Sequence, residues 1–313
     1  MLFEALIETI CKPLTQSGGR LLHAEHGDIA AAKDTQRIAR FVYLYHYLGN
    51  ASPKDTGVTA PSSIPEKVDE EFTSRYREVI RDPYFTDSGW HLIKDAPTTK
   101  LVEKNGIFLE VHANEILAKK TLACGGEQVV LKMPVWRAHA SPGYFSACTL
   151  PGPVPVTVPI DRLYINAGTN TAPDIWSAML NWAALRKIPG TIKAANNPGS
   201  FDRPDTIVAY FPRAAFQDNR SELLPVIQTF SDGIRYQSPM FTEKIAPGIS
   251  WAEDPISDGL GAMSFGMHRC MIVASALAEA QEHHFSEGLA ELVIRRWLAC
   301  GLSCTEPHLS PKK

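Results

Sequence analysis

The hydrophobic period of the chain changes near residue 99, and this change limits the fold more than any other feature. Before it, residues 3–10 (FEALIETI) and 34–48 (DTQRIARFVYLYHYL) carry apolar side chains three and four positions apart, which is typical of amphipathic helices. After it, residues 106–116 and 127–139 are strand-like runs separated by a Gly-Gly turn. Helices followed by a strand-rich part with interspersed helices predict an α+β fold.

The organisation of the chain follows from the same patterns. Residues 50–67 are rich in proline, serine, threonine and glycine and are predicted to form a loop or linker. We expect a helical N-terminal region at 1–95, an α+β domain with a mixed β-sheet core and flanking helices at 96–302, and a frayed tail at 303–313. Within the second region the patterns predict strands at 161–167, 190–195 and 205–212, and helices at 172–187, 218–232, 265–283 and 286–300.

The composition argues against several classes of protein. The formal net charge is -3 over 313 residues, so no global basic field attracts nucleic acid or anionic lipid. No apolar run approaches the roughly 18–20 residues of a membrane span. Glu4 stands where a signal peptide carries a basic residue. We therefore expect a cytoplasmic protein with reduced cysteines, and the spacing of Cys300 and Cys304 is too weak a signal to predict a zinc site.

The sequence contains none of the common nucleotide-binding, hydrolase-elbow or HExxH motifs. Its distinguishing feature is a set of cationic and neutral hydrogen-bonding side chains inside strand-like or helical segments that are otherwise apolar. These residues are Arg162, Tyr164, Asn166, Lys193, Arg203, Arg213, Lys244, His268 and Arg269. Arg162, Tyr164 and Asn166 alternate along the chain, so we expect them on one face of a strand.

Each cation has a structural and a functional interpretation. A single arginine at a strand end usually extends its guanidinium to water, and Lys244 beside Glu243 is equally explained as an exposed pair. Lys193 lies in a short strand between two loops and either reaches an edge or faces a cleft. Several cations that converge on one cleft form a site for a dianion such as a phosphate ester. The helix that begins at 265, with Ser264 as its expected N-cap, adds an anion-binding end.

Five segments between residues 160 and 282 resemble the HopA-type family, described as type III secretion effectors of plant-pathogenic bacteria. In chain order they are RLYIN, IPGTIK, FDRPDTIVAYFPR, PMFTEKIAPGISWAEDP and SFGMHRC. Related domains of this family act as lyase subunits in the maturation of class V lanthipeptides and thioamitides.

The resemblance implies a reaction and a partner. The reaction is elimination of phosphate from phosphoserine or phosphothreonine in a precursor peptide, which leaves dehydroalanine or dehydrobutyrine. A separate kinase with an aminoglycoside-phosphotransferase-like fold is expected to install the phosphate. The effector branch of the family implies instead an activity inside a host cell and a small chaperone bound to the N-terminal region.

The chemistry of this reaction suggests roles for the candidate residues. Lys193 is the expected base for the α-proton, and His268 is the expected acid for the leaving phosphate, with His139 as its rival. Arg203, Arg213 and Arg269 are the expected phosphate clamps. The remaining candidates hold the other oxygens or the substrate carbonyl (Arg162, Tyr164 as a third catalytic candidate, and Lys244) or orient their neighbours (Asn166 and Glu253). No metal or organic cofactor is expected, because esterification already activates the leaving group.

Two alternatives stay open at this point. The chain is either the enzyme described above or a non-enzymatic, effector-like protein that binds a host or chaperone partner. The tyrosine-rich stretch RFVYLYHYL (40–48) either packs on the core or forms an interface with a kinase.

Overall fold

The structure is a computed structural model that describes residues 3–31, 33–49, 68–155, 157–255, 263–282 and 288–311. Within these residues the chain forms three β-sheets and seven α-helices. This arrangement confirms the predicted α+β class, and all strand pairs found in the described residues are antiparallel. The linker predicted at 50–67 lies outside the described residues. None of the helices in this part of the chain is long and apolar enough to cross a membrane.

The N-terminal region combines helices with a small sheet. Helix α1 (Phe3–Cys11) is followed by a three-stranded sheet and then by helix α2 (Thr35–Val42), which continues as a π-helix (Tyr43–Tyr47). The sheet consists of β1 (Leu14–Ser17), β2 (Arg20–His23) and β3 (Gly27–Ala31). Both predicted helices are confirmed. The three strands were not predicted, because runs of four or five residues are too short to show a period.

The stretch 40–48 packs against the core. Phe41, Val42, Tyr47 and Leu48 are buried, and they join a cluster with helix α6 (Phe265–Glu282) and helix α7 (Leu289–Ala299). Gly266 in α6 permits this contact, because a Cβ built there would lie 2.4 Å from the ring of Tyr47. Of the two interpretations of this stretch, core packing is therefore the one that its side chains adopt.

A five-stranded sheet follows helix α3 (Glu70–Glu78) and has a small core of its own. Its spatial order is β6-β5-β4-β8-β7. Its strands are β4 (Tyr84–Asp95), β5 (Thr99–Lys104), β6 (Ile107–His112), β7 (Ile116–Thr121) and β8 (Glu127–Pro134). Strand β4 falls within the region expected to be helical and pairs with β5 and β8, both of which lie beyond residue 95.

A seven-stranded sheet carries most of the candidate residues. Its spatial order is β14-β15-β11-β13-β12-β10-β9. Its strands are β9 (Trp136–Ser141), β10 (Tyr144–Cys148), β11 (Ile160–Ile165), β12 (Thr191–Ala195), β13 (Ile207–Pro212), β14 (Glu243–Ala246) and β15 (Ile249–Glu253). The strands predicted at 161–167, 190–195 and 205–212 are thereby confirmed.

The two faces of this sheet are covered differently. Helix α4 (Ala172–Leu185) and helix α5 (Arg213–Gln228) pack on the first face and bury a large apolar core. Helices α2 and α6 cover part of the second face. Helix α5 begins directly after β13, with no loop or turn between them. Its start is five residues earlier than expected, and Pro225 lies inside the helix.

The C-terminal segment is docked, so the prediction of a frayed tail is wrong for the residues described, 303–311. The carbonyls of Pro307 and Leu309 accept hydrogen bonds from Arg269 at 3.2 and 2.7 Å. The backbone N–H of Ser310 donates to the Glu253 carboxylate at 2.9 Å. His308 Nε2 lies 2.9 Å from the carboxylate of Glu243. These polar anchors hold the segment although it has no regular secondary structure.

Candidate functional site

Strand register places Lys193 in a row with two other polar side chains. Lys193 on β12 lies opposite Ser146 on β10, and Ser146 lies opposite Arg137 on β9. Directly opposed residues project from the same side of a sheet. We call this side the polar face; it also carries Arg162, Tyr164, Tyr210 and Tyr144. The row Lys193, Ser146 and Arg137 lines a cavity of about 250 Å³ together with Thr191 and Tyr210.

The ammonium of Lys193 is surrounded by aromatic rings. Its Nζ lies 4.2 Å from the ring centroid of Tyr144 and 5.6 Å from that of Tyr210. Ring quadrupoles attract a cation but leave its charge uncompensated. In the described part of the chain, neither Lys193 nor Arg137 forms an ion pair with a carboxylate. Two cations without an ion-pair partner among the described residues therefore line one cavity. Their backbone positions are two strands apart, about 10 Å across the sheet, and such a pair suits an anionic ligand.

Arg203 is also on this side of the molecule, but its charge is compensated. Its guanidinium forms two hydrogen bonds with the carboxylate of Asp205, one of them at 2.8 Å, and both side chains are buried. Burial alone would raise the pKa of Asp205, but Arg203 and, more weakly, Lys193 lower it, and the net pKa is below its ordinary value. The guanidinium also lies 5.1 Å from the ring centroid of Tyr144. Arg203 and Lys193 thus share one aromatic ring.

Arg162, Tyr164 and Asn166 lie deeper in the structure. Register confirms that Arg162 and Tyr164 share the polar face, as the alternation predicts. Arg162 is ion-paired with Asp254 and packs on the ring of Tyr210 at 5.1 Å. Burial raises the pKa of Tyr164, whose hydroxyl lies beside that of Tyr47. The amide of Asn166 donates to the carbonyl of Gln237 at 3.0 Å. All three are almost fully buried.

His268 and Arg269 hydrogen-bond to each other at the start of α6. Arg269 Nη1 lies 2.9 Å from His268 Nδ1. A guanidinium only donates, so Nδ1 is the acceptor and the ring of His268 carries its proton on Nε2. The predicted N-cap is present, since the hydroxyl of Ser264 accepts from the backbone N–H of Met267 at 3.3 Å. Arg269 is fully buried against the C-terminal segment, and neither residue lines the cavity at Lys193.

The remaining candidates lie elsewhere. Arg213 opens α5 and binds Asp161 and Glu253 at 2.9 and 3.0 Å, on the face opposite Lys193. Lys244 is exposed on edge strand β14, four strands from Lys193 on the polar face, which corresponds to about 19 Å. His139 belongs to β9, but its side chain lies outside what the structure describes. The site roles of these residues stay predictions.

Several residues of the site were not predicted from the sequence. They are Arg137, Tyr144, Ser146, Asp205 and Tyr210. Tyr144 and Ser146 alternate with the apolar Phe145 and Ala147, and all four are buried. Five residues are too short a run for this alternation to predict a strand.

The family of the chain is decided by the part that contains this sheet. The model of the HopA1 effector protein family matches residues 136–308, more than half of the chain. The chain belongs to the HopA1 effector protein family. The matched part begins at β9 and includes every strand of the seven-stranded sheet, so the polar face of this HopA1-family protein lies within it.

Two solved structures are also similar to this HopA1-family chain. One is the effector protein from Pseudomonas syringae pv. tomato strain DC3000, with 18% identity over 54% of this chain, 64% of that chain and a TM-score of 0.43. The other is the effector protein from Pseudomonas syringae pv. syringae strain 61, with 13% identity over 89% of this chain, 96% of that chain and a TM-score of 0.49. The chain thus spans slightly less than two thirds of the first structure. A comparison with curated protein sequences gives no match.

Proposed function

We propose that this HopA1-family protein is a phosphoserine and phosphothreonine lyase that acts on a phosphorylated precursor peptide in lanthipeptide-type biosynthesis. One observation carries the proposal. A lysine without a carboxylate partner in the described residues lines a cavity with a second unpaired cation and a serine hydroxyl. This set suits a substrate that brings a phosphate dianion and a weakly acidic Cα–H together.

The reaction balances without a co-reactant. Once its amine has given up a proton, Lys193 takes the α-proton, and the released electron pair forms the Cα=Cβ double bond. The Cβ–O bond breaks, and phosphate leaves with the pair of electrons and accepts one proton. One proton is removed and one is returned, so the products are the dehydro residue and hydrogen phosphate.

Arg137 and Ser146 are the groups we assign to the phosphate. A guanidinium matches two phosphate oxygens, and stabilising the charge that develops on a leaving phosphate lowers the barrier. Arg203 and Arg162 suit this role less well than Arg137 does, because each already holds an aspartate. Arg203 packs on the ring of Tyr144 and Arg162 on that of Tyr210, so both positive charges add to the electrostatic potential near the cavity.

Two histidine side chains are candidates for the acid that protonates the leaving phosphate. His268 is the first, but its Nδ1 accepts from Arg269, so it would have to donate from the Nε2–H of a neutral ring, and it does not line the cavity at Lys193. His139 is on the same strand as Arg137, two positions away. We propose that one of them serves as the acid and that a separate kinase supplies the phosphorylated peptide.

The direct test is to incubate the purified full chain with a phosphothreonine or phosphoserine peptide. Mass spectrometry then detects elimination as the loss of phosphoric acid from the peptide. We expect the parent protein to form the product. Lys193→Ala should lower the rate of elimination about 10²–10⁴-fold, which is the usual contribution of a general base. Lys132→Ala is the matched control, because Lys132 also packs on a tyrosine ring, at 4.0 Å, but on the five-stranded sheet. Equal rates for both variants would contradict the assignment of Lys193.

The same experiment separates the lyase from the second candidate function, a protein that binds a partner without catalysis. Phosphopeptide binding that depends on Arg137 and Lys193, with no elimination product, would favour a binding protein. His268→Ala and His139→Ala identify the acid, since only one of them should slow elimination strongly.

A further inference from the structure

We propose that Tyr43, on the π-helix of the N-terminal region, positions Lys193 for catalysis. The π-helix lies outside residues 136–308, the part matched by the family. The inference rests on the proposed lyase function and adds a residue to it. Tyr43 does not line the cavity, so it is a positioning residue and not a catalytic one.

A short chain of contacts links Tyr43 to Lys193. The hydroxyl of Tyr43 accepts a hydrogen bond from Arg203 Nη2 at 3.3 Å. The guanidinium of Arg203 lies 5.1 Å from the ring centroid of Tyr144, and the ammonium of Lys193 lies 4.2 Å from the same centroid. Tyr43 thus contacts the guanidinium that shares a ring with the proposed base.

The charges along this chain explain why its geometry matters. Two cations on one ring repel each other, and Asp205 offsets this repulsion by binding the guanidinium of Arg203. Burial raises the pKa of Tyr43, so it remains a neutral phenol and a hydrogen-bond acceptor for Arg203. Without that acceptor, one N–H group of the Arg203 guanidinium has no hydrogen-bond partner. The guanidinium then shifts relative to the ring of Tyr144. The ammonium of Lys193 then loses its defined direction into the cavity.

The π-helix itself is fixed from two sides. The N–H of Leu48 donates to the carbonyl of Tyr43 at 2.9 Å, the wider hydrogen bond of a π-turn. The rings of Tyr43 and Tyr47 stack with centroids 5.0 Å apart and planes inclined by 14°. Tyr47 in turn packs against α6 at Gly266. Turns of this kind occur often at functional sites, because the extra residue redirects side chains.

The first test compares Tyr43→Phe with Tyr45→Phe. Both remove one hydroxyl from the same π-helix, but that of Tyr45 donates to Glu25 at 3.2 Å, away from Arg203. For Tyr43→Phe we expect kcat of phosphopeptide elimination to fall about tenfold with KM changed less than about twofold, since misplacement of a catalytic group acts on the transition state. For Tyr45→Phe we expect both constants unchanged. Equal kcat values for the two variants, or a change confined to KM, would overturn the proposal.

A second measurement does not depend on turnover, so it separates failure of this inference from failure of the proposed function. The rate of chemical acylation of Lys193 is measured by peptide mass spectrometry relative to that of Lys132, which has the same type of ring contact. We expect Tyr43→Phe to change this ratio at least about threefold and Tyr45→Phe to leave it unchanged. An unchanged ratio in Tyr43→Phe would refute the positioning role, whether or not the protein eliminates phosphate.

Discussion

The two faces of the seven-stranded sheet are built from the same strands but filled by different chemistry. On the apolar face Phe145, Ile192 and Phe211 are fully buried under α4 and α5. On the polar face their neighbours Lys193 and Tyr210 line a cavity, and Tyr144 contacts the ammonium of Lys193. The difference indicates that the first face is packed throughout, whereas the second is packed under α2 and α6 and leaves a cavity beside Lys193.

The polar face also shows which cations are available to a ligand. Arg162 is paired with Asp254, and Arg203 is paired with Asp205. Lys193 and Arg137 have no such partner within the described residues. A cation that an aspartate already holds contributes to the field around a ligand, but a cation without a partner binds the ligand itself.

The largest effect on stability is expected from breaking the buried pair of the polar face. Asp205→Ala leaves the guanidinium of Arg203 buried without its carboxylate, and loss of one partner of a buried pair costs about 3–5 kcal/mol. Urea unfolding measures this change in the free energy of unfolding. Asp28→Ala, which breaks the surface pair with Arg20, is the control and should leave the midpoint unchanged. Equal midpoints for the two variants would contradict the expected contribution of this pair to stability.

The next prediction compares adjacent residues that point to opposite faces. Ile192→Ala removes a fully buried side chain and should lower the free energy of unfolding by about 2–5 kcal/mol. Lys193→Ala should change it by less than about 1 kcal/mol, because Lys193 is half-buried and unpaired. At a temperature where both variants are folded, Lys193→Ala should lose elimination activity, whereas Ile192→Ala should largely retain it. A large loss of stability in Lys193→Ala would argue that the lysine is structural.

The N-terminal region provides a prediction on pH. Burial, followed by the nearby His23 and His26, lowers the pKa of His46 from 6.5 to about 4. Between these values the unfolded chain binds the proton and the folded chain does not, so stability falls as the pH decreases from 6.5 towards 4. The loss attributable to His46 reaches about 3 kcal/mol at most.

Urea unfolding between pH 7 and pH 4 measures this slope. His46→Gln should flatten it, whereas substitution of the exposed His91 by glutamine should not. The same slope in both variants would mean that other groups account for the pH dependence.

The smallest effect is expected at Arg213. Its guanidinium is partly exposed, whereas Asp161 is buried and keeps its hydrogen bond from Gln217, so Arg213→Gln should cost about 1–3 kcal/mol and leave elimination unchanged. A tenfold loss of elimination without a loss of stability would restore Arg213 to the phosphate site predicted from the sequence.

The sequence predicted the fold class and the central strands because their patterns are long. The segments at 161–167, 190–195 and 205–212 contain β-branched or aromatic residues between turn signals, and the alternation of Arg162 with Tyr164 gave the common face of these two residues. Strands β1 to β3 and β10 were missed because four or five residues contain too few repeats of a period of two. The docking of residues 303–311 was missed because it depends on contacts with Arg269 and Glu253, which are remote in sequence.

The site was predicted in part for a similar reason. The sequence lists cations, but their availability depends on which carboxylate each one meets. Arg162 is neutralised by Asp254, 92 residues away, and no local pattern indicates that pairing. Arg203 and Asp205 are two residues apart, so their pair was open to prediction. Arg213 opens α5 directly after β13 and pairs with carboxylates of the apolar face, a position that the local sequence pattern does not indicate.

The central claim, that the amine at position 193 on the polar face carries the elimination, is tested most directly by chemical rescue. Lys193→Cys is expected to be inactive on the phosphopeptide, and aminoethylation of the new thiol rebuilds an amine of nearly the same length. Aminoethylated Lys193→Ala is the control for modification of the six native cysteines. The account predicts that activity returns in the aminoethylated Lys193→Cys variant and not in the control. Activity that is absent in both, or full activity before aminoethylation, would contradict it.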